Sequence, residues 1–138
     1  MSTNQLLGLD VGKVRIGVAR ASWAAALAEP LQTIRTDNAT AELKKLIREY
    51  HVDTLVIGLP RNLQGNDTAQ TIWVRDWVSR TKKQLDVTFF WQDEALTSRL
   101  AELSTGARKK NRYSTDALSA TIVLQDFLGS EVTERVNC

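Results

Sequence analysis

The sequence predicts an α/β protein, a mixed five-stranded sheet flanked by helices. Three observations carry this. Short apolar runs of strand length open the chain and recur at Asp53–Leu59 and Val87–Gln92. Between and after them, apolar residues return at helical spacing. The order is three strands followed by alternating helices and strands, which is a meander continued by βαβ crossovers.

In chain order, Leu6–Asp10 and Val14–Arg20 read as strands, joined by a tight turn in which Gly12 is expected to take the dihedral other residues avoid. Leu31–Ile34 is a short third strand. Ala39, Leu43, Leu46, Ile47 and Tyr50 follow 3.6-residue spacing, with Asp37 or Asn38 as N-cap. The β-branched run Asp53–Leu59 reads as a strand buried on both faces. Ala69, Ile72, Trp73, Trp77 and Val78 form a second helical stripe, and Val87–Gln92 a fifth strand. Leu96, Leu100, Leu103 and Ala107 make a third stripe, with Gly106 near its end. A last helix runs from about Ser114 to Leu128 and stops at Gly129, a residue type suited to the position after a helix. The tail from about 130 to 138 is expected to be loose.

Size and composition bound the rest. One domain of 138 residues is long enough to bury a core. No apolar run approaches the ~20 residues that cross a bilayer, and "MSTNQ" lacks the basic patch and apolar stretch of a secretory signal. Cys138 is the only cysteine, which excludes a disulfide framework or a thiolate metal site within one chain. A cytoplasmic protein is expected. The net charge of +2 neither demands nor forbids a nucleic-acid partner, so the distribution of charge matters more than its sum. The densest basic cluster is "RKKNR", with Arg108, Lys109, Lys110 and Arg112.

Three acids fall where an α/β sheet gathers its site, beyond the carboxyl ends of parallel strands. Asp10 ends the first strand. Asp93 and Glu94 follow the fifth. Asp116 begins a helical line that continues through Ala120, Val123 and Phe127, so it sits on a face that otherwise meets the core. Small neighbours, Ala117 and Ala120, let that helix approach the sheet closely. A carboxylate there needs a positive partner, and no Lys or Arg is fixed by local spacing to supply one. Oxygen ligands of this kind suit Mg²⁺ or Mn²⁺, and a pair of such ions ~4 Å apart cleaves phosphodiesters. Each acid also has a plainer reading: a turn cap for Asp10, a helix-dipole acid for Asp116, surface acids for Asp93 and Glu94. Their coincidence points to a site. Gly17, inside a strand, leaves room for another backbone or a ligand, and Gly58–Gly65 puts a stiff loop on the same sheet edge.

With these residues in view, "DVGKVRIGVA" resembles the D-x-G-x-x-x-I-G-V-A opening of the YqgF/RuvX family. "AEPLQTI", "VIGLPRNLQG", "DEALTS" and "DALSATIVLQDFL" resemble its later motifs in order, from Leu6 to Leu128. The resemblance implies a ribonuclease H-like fold and a two-metal nuclease with Asp10, Glu94 and Asp116 as catalytic metal ligands. Asp93, Gly12 and Thr97 are expected to support them. The substrate implied is structured nucleic acid, either the 5′ end of precursor 16S ribosomal RNA or a Holliday junction in DNA. One departure stands out: Ala95 replaces the family's usual Arg, and Arg15, Arg61 or Arg99 is the candidate substitute.

Arg15, Arg61, Arg108, Lys109, Lys110 and Arg112 are the candidates for holding the nucleic-acid backbone. A monomer favours RNA processing. A two-fold symmetric junction calls for a dimer. Trp73 and Trp77, one turn apart, suit stacking on bases or, more commonly, a core. His51 has no partner at ligand spacing. "GLDVGK" is too short for a P-loop. Two other classes share parts of this pattern: a silent nucleic-acid-binding module, supported by Ala95, and an actin-like ATP-binding protein, which needs two such domains where this chain has one.

Overall fold

A computed structural model of the chain describes residues 4–95, 115–130 and 136–138. The first three strands, β1 (Gln5–Val11), β2 (Arg15–Ser22) and β3 (Glu29–Arg35), form an antiparallel meander. Helix α1 (Ala39–Tyr50) then leads to β4 (Val52–Arg61), and α2 (Ala69–Thr81) leads to β5 (Thr88–Ala95). β4 lies parallel to both β1 and β5. Helix α3 (Thr115–Gly129) and a two-residue strand β6 (Val136–Asn137) complete the described elements, and the sheet order is β3-β2-β1-β4-β5-β6.

Strand alternation sorts the core into two layers. Leu7, Leu9 and Val11 of β1 and Leu55 and Ile57 of β4 face α1 and α2, where Leu43, Leu46, Val74, Trp77 and Val78 meet them. Leu6 and Val56 face the opposite way, onto Ala120, Val123, Leu124 and Phe127 of α3. Both sides are covered, which is why the central strands read as continuous apolar runs. In α2 the buried line is Thr71, Val74, Trp77, Val78 and Thr81, and Ile72 is exposed. Spacing alone assigned Ile72 to the stripe. The helix is rotated so that Trp77, the larger payload, is buried.

Glycines set how closely α3 lies on the sheet. A Cβ on Gly8 would stand 2.6 Å from Leu124 Cβ, and one on Gly58 2.8 Å from Val123 Cγ2. A Cβ on Gly17 would stand 1.8 Å from the Asp116 carbonyl oxygen. Three neighbouring strands thus give up a side chain where the helix rests.

Several local expectations are corrected. The β1–β2 turn closes with Gly12 N–H donating to the Arg15 carbonyl at 2.9 Å. Gly12 is not among the positive-φ residues, so its role is space: a Cβ would meet the Arg15 oxygen at 2.7 Å. Asn38 is the N-cap residue of α1, as expected, but without a side-chain cap bond, because the helix is entered through a 3₁₀ turn at Thr36–Asn38. The end of the chain is not loose at residues 136–138: Val136 and Asn137 pair with Trp91 and Phe90 of β5, and Cys138 N–H donates to the Phe89 carbonyl at 2.9 Å. This adds a sixth strand to the expected five, because the open edge of β5 offers unpaired backbone groups. The predicted helix through Leu96–Ala107 lies outside the described residues.

Candidate active site

Asp10 is the penultimate residue of β1, and its antiparallel partner in β2 is Gly17. The first turn of α3 lies directly on Gly17, so the sheet carries Asp116 beside Asp10. Ser119, one turn along α3, hydrogen-bonds the Asp10 carboxylate. Burial pushes the Asp10 carboxyl up from 3.8 to about 6; the nearby charge of Asp116 pushes the same way, and the Ser119 bond opposes both.

Asp116 has a partner from the far end of the chain. Arg15, the first residue of β2, donates from Nε to Asp116 Oδ2 at 3.0 Å. The Arg15 side chain is 65% exposed and that of Asp116 33%. Local spacing had suggested no cation for Asp116; the β1–β2 turn supplies one by returning the chain beside α3.

Glu94 is buried, 7% exposed, near the carboxyl end of β5. Register places it level with Pro60 of β4. Phe90 packs on Phe127 of α3, and alternation puts Gln92 and Glu94 on that same face. Asp10 and Glu94 therefore share a face and a rim, separated by β4, at a lateral spacing of about 10 Å for two strand steps. Among the described residues no three acids, histidines or cysteines stand close enough to hold one metal ion together. Asp10 and Asp116 form a pair, and Glu94 stands across from them.

Asp93, its sequence neighbour, points to the other face. It accepts from Arg61 Nη1 at 3.2 Å, and Arg61 also lies 3.2 Å from Asp67. Asp93 and Arg61 thus pair with each other rather than joining the Asp10–Asp116 pair, because successive strand residues alternate sides. The loop after β4 does reach the rim: Arg61, Asn62, Leu63, Gly65, Asp93 and Glu94 line a pocket of about 150 Å³. Gly12 shapes the turn that presents Arg15. Of the arginines expected to compensate for Ala95, Arg15 reaches the acid pair, Arg61 is engaged elsewhere, and Arg99 lies outside the described residues. So do Thr97, Arg108, Lys109, Lys110 and Arg112. Trp77 is buried and Trp73, half-buried, packs against the same core, the plainer of the two readings. Ser119 is the residue sequence reasoning missed. Its signal was its place three residues after Asp116, on the same helical face.

Among the described residues the groups here that could ligate an ion are oxygens, one of them on a carboxyl whose charged form is destabilised by burial and by a second acid. A hard divalent cation suits that donor set. Asp10 and Asp116 would hold it.

Solved structures share this architecture. The chain matches Thermus thermophilus RuvC in complex with a Holliday junction substrate with a TM-score of 0.61 at 10% identity, over 97% of this chain and 99% of that one. A second Thermus thermophilus RuvC structure matches at 0.60 and 12% identity. The fold is thus RuvC-like, of the ribonuclease H class. Within that class, the profile of the RuvX family, described as Holliday junction resolvase, matches residues 4–130. Relatives named "Putative pre-16S rRNA nuclease" include one from Roseiflexus sp., 38% identical over 92% of this chain and 95% of its own. One from Mycoplasma mobile is 36% identical over 90% and 91%. The chain belongs to the RuvX family. Fold and family together define a nuclease.

Proposed function

We propose that this protein is a metal-dependent endonuclease that hydrolyses phosphodiester bonds in structured nucleic acid, with maturation of the 5′ end of precursor 16S ribosomal RNA as its task. The observation that carries the chemistry is the pairing of Asp10 with Asp116 at the carboxyl end of β1. The names of its relatives support the substrate.

Bound Mg²⁺ or Mn²⁺ supplies Lewis-acid polarisation of a phosphoryl oxygen and a water acidic enough to attack near neutral pH. Asp10 and Asp116 would hold the cation on one side of the rim. Glu94 faces them across β4 and would be the residue to hold a second ion, were two bound. Ser119 partly offsets the destabilisation of the ionised Asp10 carboxylate, the form that would ligate. Arg15 and the basic segment Arg108–Arg112 meet the nucleic-acid backbone. A nuclease maturing ribosomal RNA works in the cytoplasm, and no helix among the described residues is long and apolar enough to cross a membrane.

The second reading is junction resolution, favoured by the family's description. It calls for a dimer, since a four-way junction has two-fold symmetry. Labelled precursor 16S RNA and a four-way DNA junction, incubated side by side with Mn²⁺, separate the two. Preferential cutting of the RNA by a monomer is expected. Cutting of the junction alone, by a dimer, would transfer the assignment to recombination.

A further inference from the structure

Arg15 is placed unusually for a residue meant only to grip substrate. Its backbone is fixed: its carbonyl accepts from Gly12 N–H at 2.9 Å, and it pairs with Arg35 across the β2–β3 ladder. Its side chain is long and 65% exposed, and its hydrogen bond goes to Asp116. That bond occupies Oδ2 of a carboxylate beside Asp10. Exposed ion pairs of this kind are weak and readily exchanged.

We propose that Arg15 is the placeholder cation of the acid pair: its guanidinium occupies Asp116 until a divalent ion arrives, and the ion and the guanidinium exclude each other there. The inference rests on Asp10 and Asp116 being ion ligands. Two physical points support it. A guanidinium and a dication on one carboxylate repel strongly. And the Asp116 charge lies close enough to Asp10 to oppose its ionisation, so a guanidinium on Asp116 offsets a repulsion that the ion-free pair would otherwise carry. Arg15 thus lowers the cost of the ion-free site. Once displaced, it is a free guanidinium on a fixed turn at the rim, where backbone phosphate would lie.

The test is Mg²⁺ binding by calorimetry, without nucleic acid, to wild type, Arg15→Gln and Asp116→Asn. The Arg15 Nε–H NMR signal, assigned by its absence in Arg15→Gln, is followed through a Mg²⁺ titration of the wild type. Removing one positive charge near a bound dication should tighten Mg²⁺ binding about tenfold in Arg15→Gln. The Nε–H signal should lose its hydrogen-bonded shift in step with ion binding. Asp116→Asn should lose the ion. Unchanged or weaker binding in Arg15→Gln, or an Nε–H signal unmoved at saturation, would overturn the exchange while loss in Asp116→Asn leaves the ligand assignment standing. Full Mg²⁺ affinity in Asp116→Asn would overturn both. Arg15 is exposed, so the variant folds, and melting curves verify it.

Discussion

Gly17 and Asp116 touch through their backbones: a single carbon added to Gly17 would stand 1.8 Å from the Asp116 carbonyl oxygen. That contact sets the height of α3 above the sheet. It also brings Asp116 next to Asp10, whose strand partner is Gly17. One missing side chain therefore serves both packing and the site.

Gly17→Ala should accordingly damage fold and activity together. The obstacle is backbone on both sides, so no flexible side chain can yield. A loss of about 3 kcal/mol or more is expected, measured by urea unfolding. Ion binding should weaken in whatever fraction folds. Gly65→Ala is the contrast. Its φ of +80° makes alanine strained, yet nothing lies within 4 Å of the added carbon, so stability should fall modestly while ion binding is kept.

Asp10→Asn should stabilise the ion-free protein, in a pH-dependent way. Burial and Asp116 hold the Asp10 carboxyl at about 6, above its ordinary 3.8. The folded state therefore holds a proton that the unfolded state has released. Stability from this group is fully present below about pH 4 and is lost as pH rises through 6. At pH 8 in EDTA, Asp10→Asn should gain about 1–2 kcal/mol, a rise of about 3–8 °C in Tm. At pH 4 the gain should vanish.

The same ionisation shapes the reaction. In the ion-free protein the Asp10 carboxyl takes up its proton as pH falls through about 6, and that proton would compete with an ion for the same oxygens. kcat/KM at subsaturating Mg²⁺ should fall up to tenfold per pH unit on the acid side and level off above it. Ser119→Ala removes the bond that lowers the Asp10 pKa, so its acid limb should move to higher pH with the plateau nearly kept. An unmoved limb would separate Asp10 from the titration.

Local sequence patterns carry part of this arrangement, and long-range pairing carries the rest. The carboxylates could be placed because strand ends and helix stripes are local patterns: Asp10 closes an apolar run, and Asp116 interrupts a buried helical line. Gly17 could be read as a site of close approach for the same reason. Asp93 and Glu94 are adjacent in sequence, and only strand alternation, once register is known, sends one to Arg61 and the other to the rim. The Arg15–Asp116 bond joins residues 101 positions apart. No window of sequence contains it. Nor does any pattern in the last residues announce β6, whose reason lies in the open edge of β5.

Chelation should separate fold from function. The apolar layers on both faces of the sheet make no use of an ion, so EDTA should abolish cleavage and leave the far-ultraviolet circular dichroism unchanged. Mn²⁺ or Mg²⁺ should restore activity without refolding.

The most direct measurement is divalent-ion-dependent cleavage of precursor 16S RNA by wild type beside Asp10→Asn, Glu94→Gln and Asp116→Asn, each verified as folded. Each substitution should lower the rate by about 100-fold or more, as loss of a metal ligand does in a site that works as a unit. Wild-type cleavage by any one of the three would contradict the assignment of that residue, and wild-type cleavage by both Asp10→Asn and Asp116→Asn would remove the active site from the carboxyl end of β1.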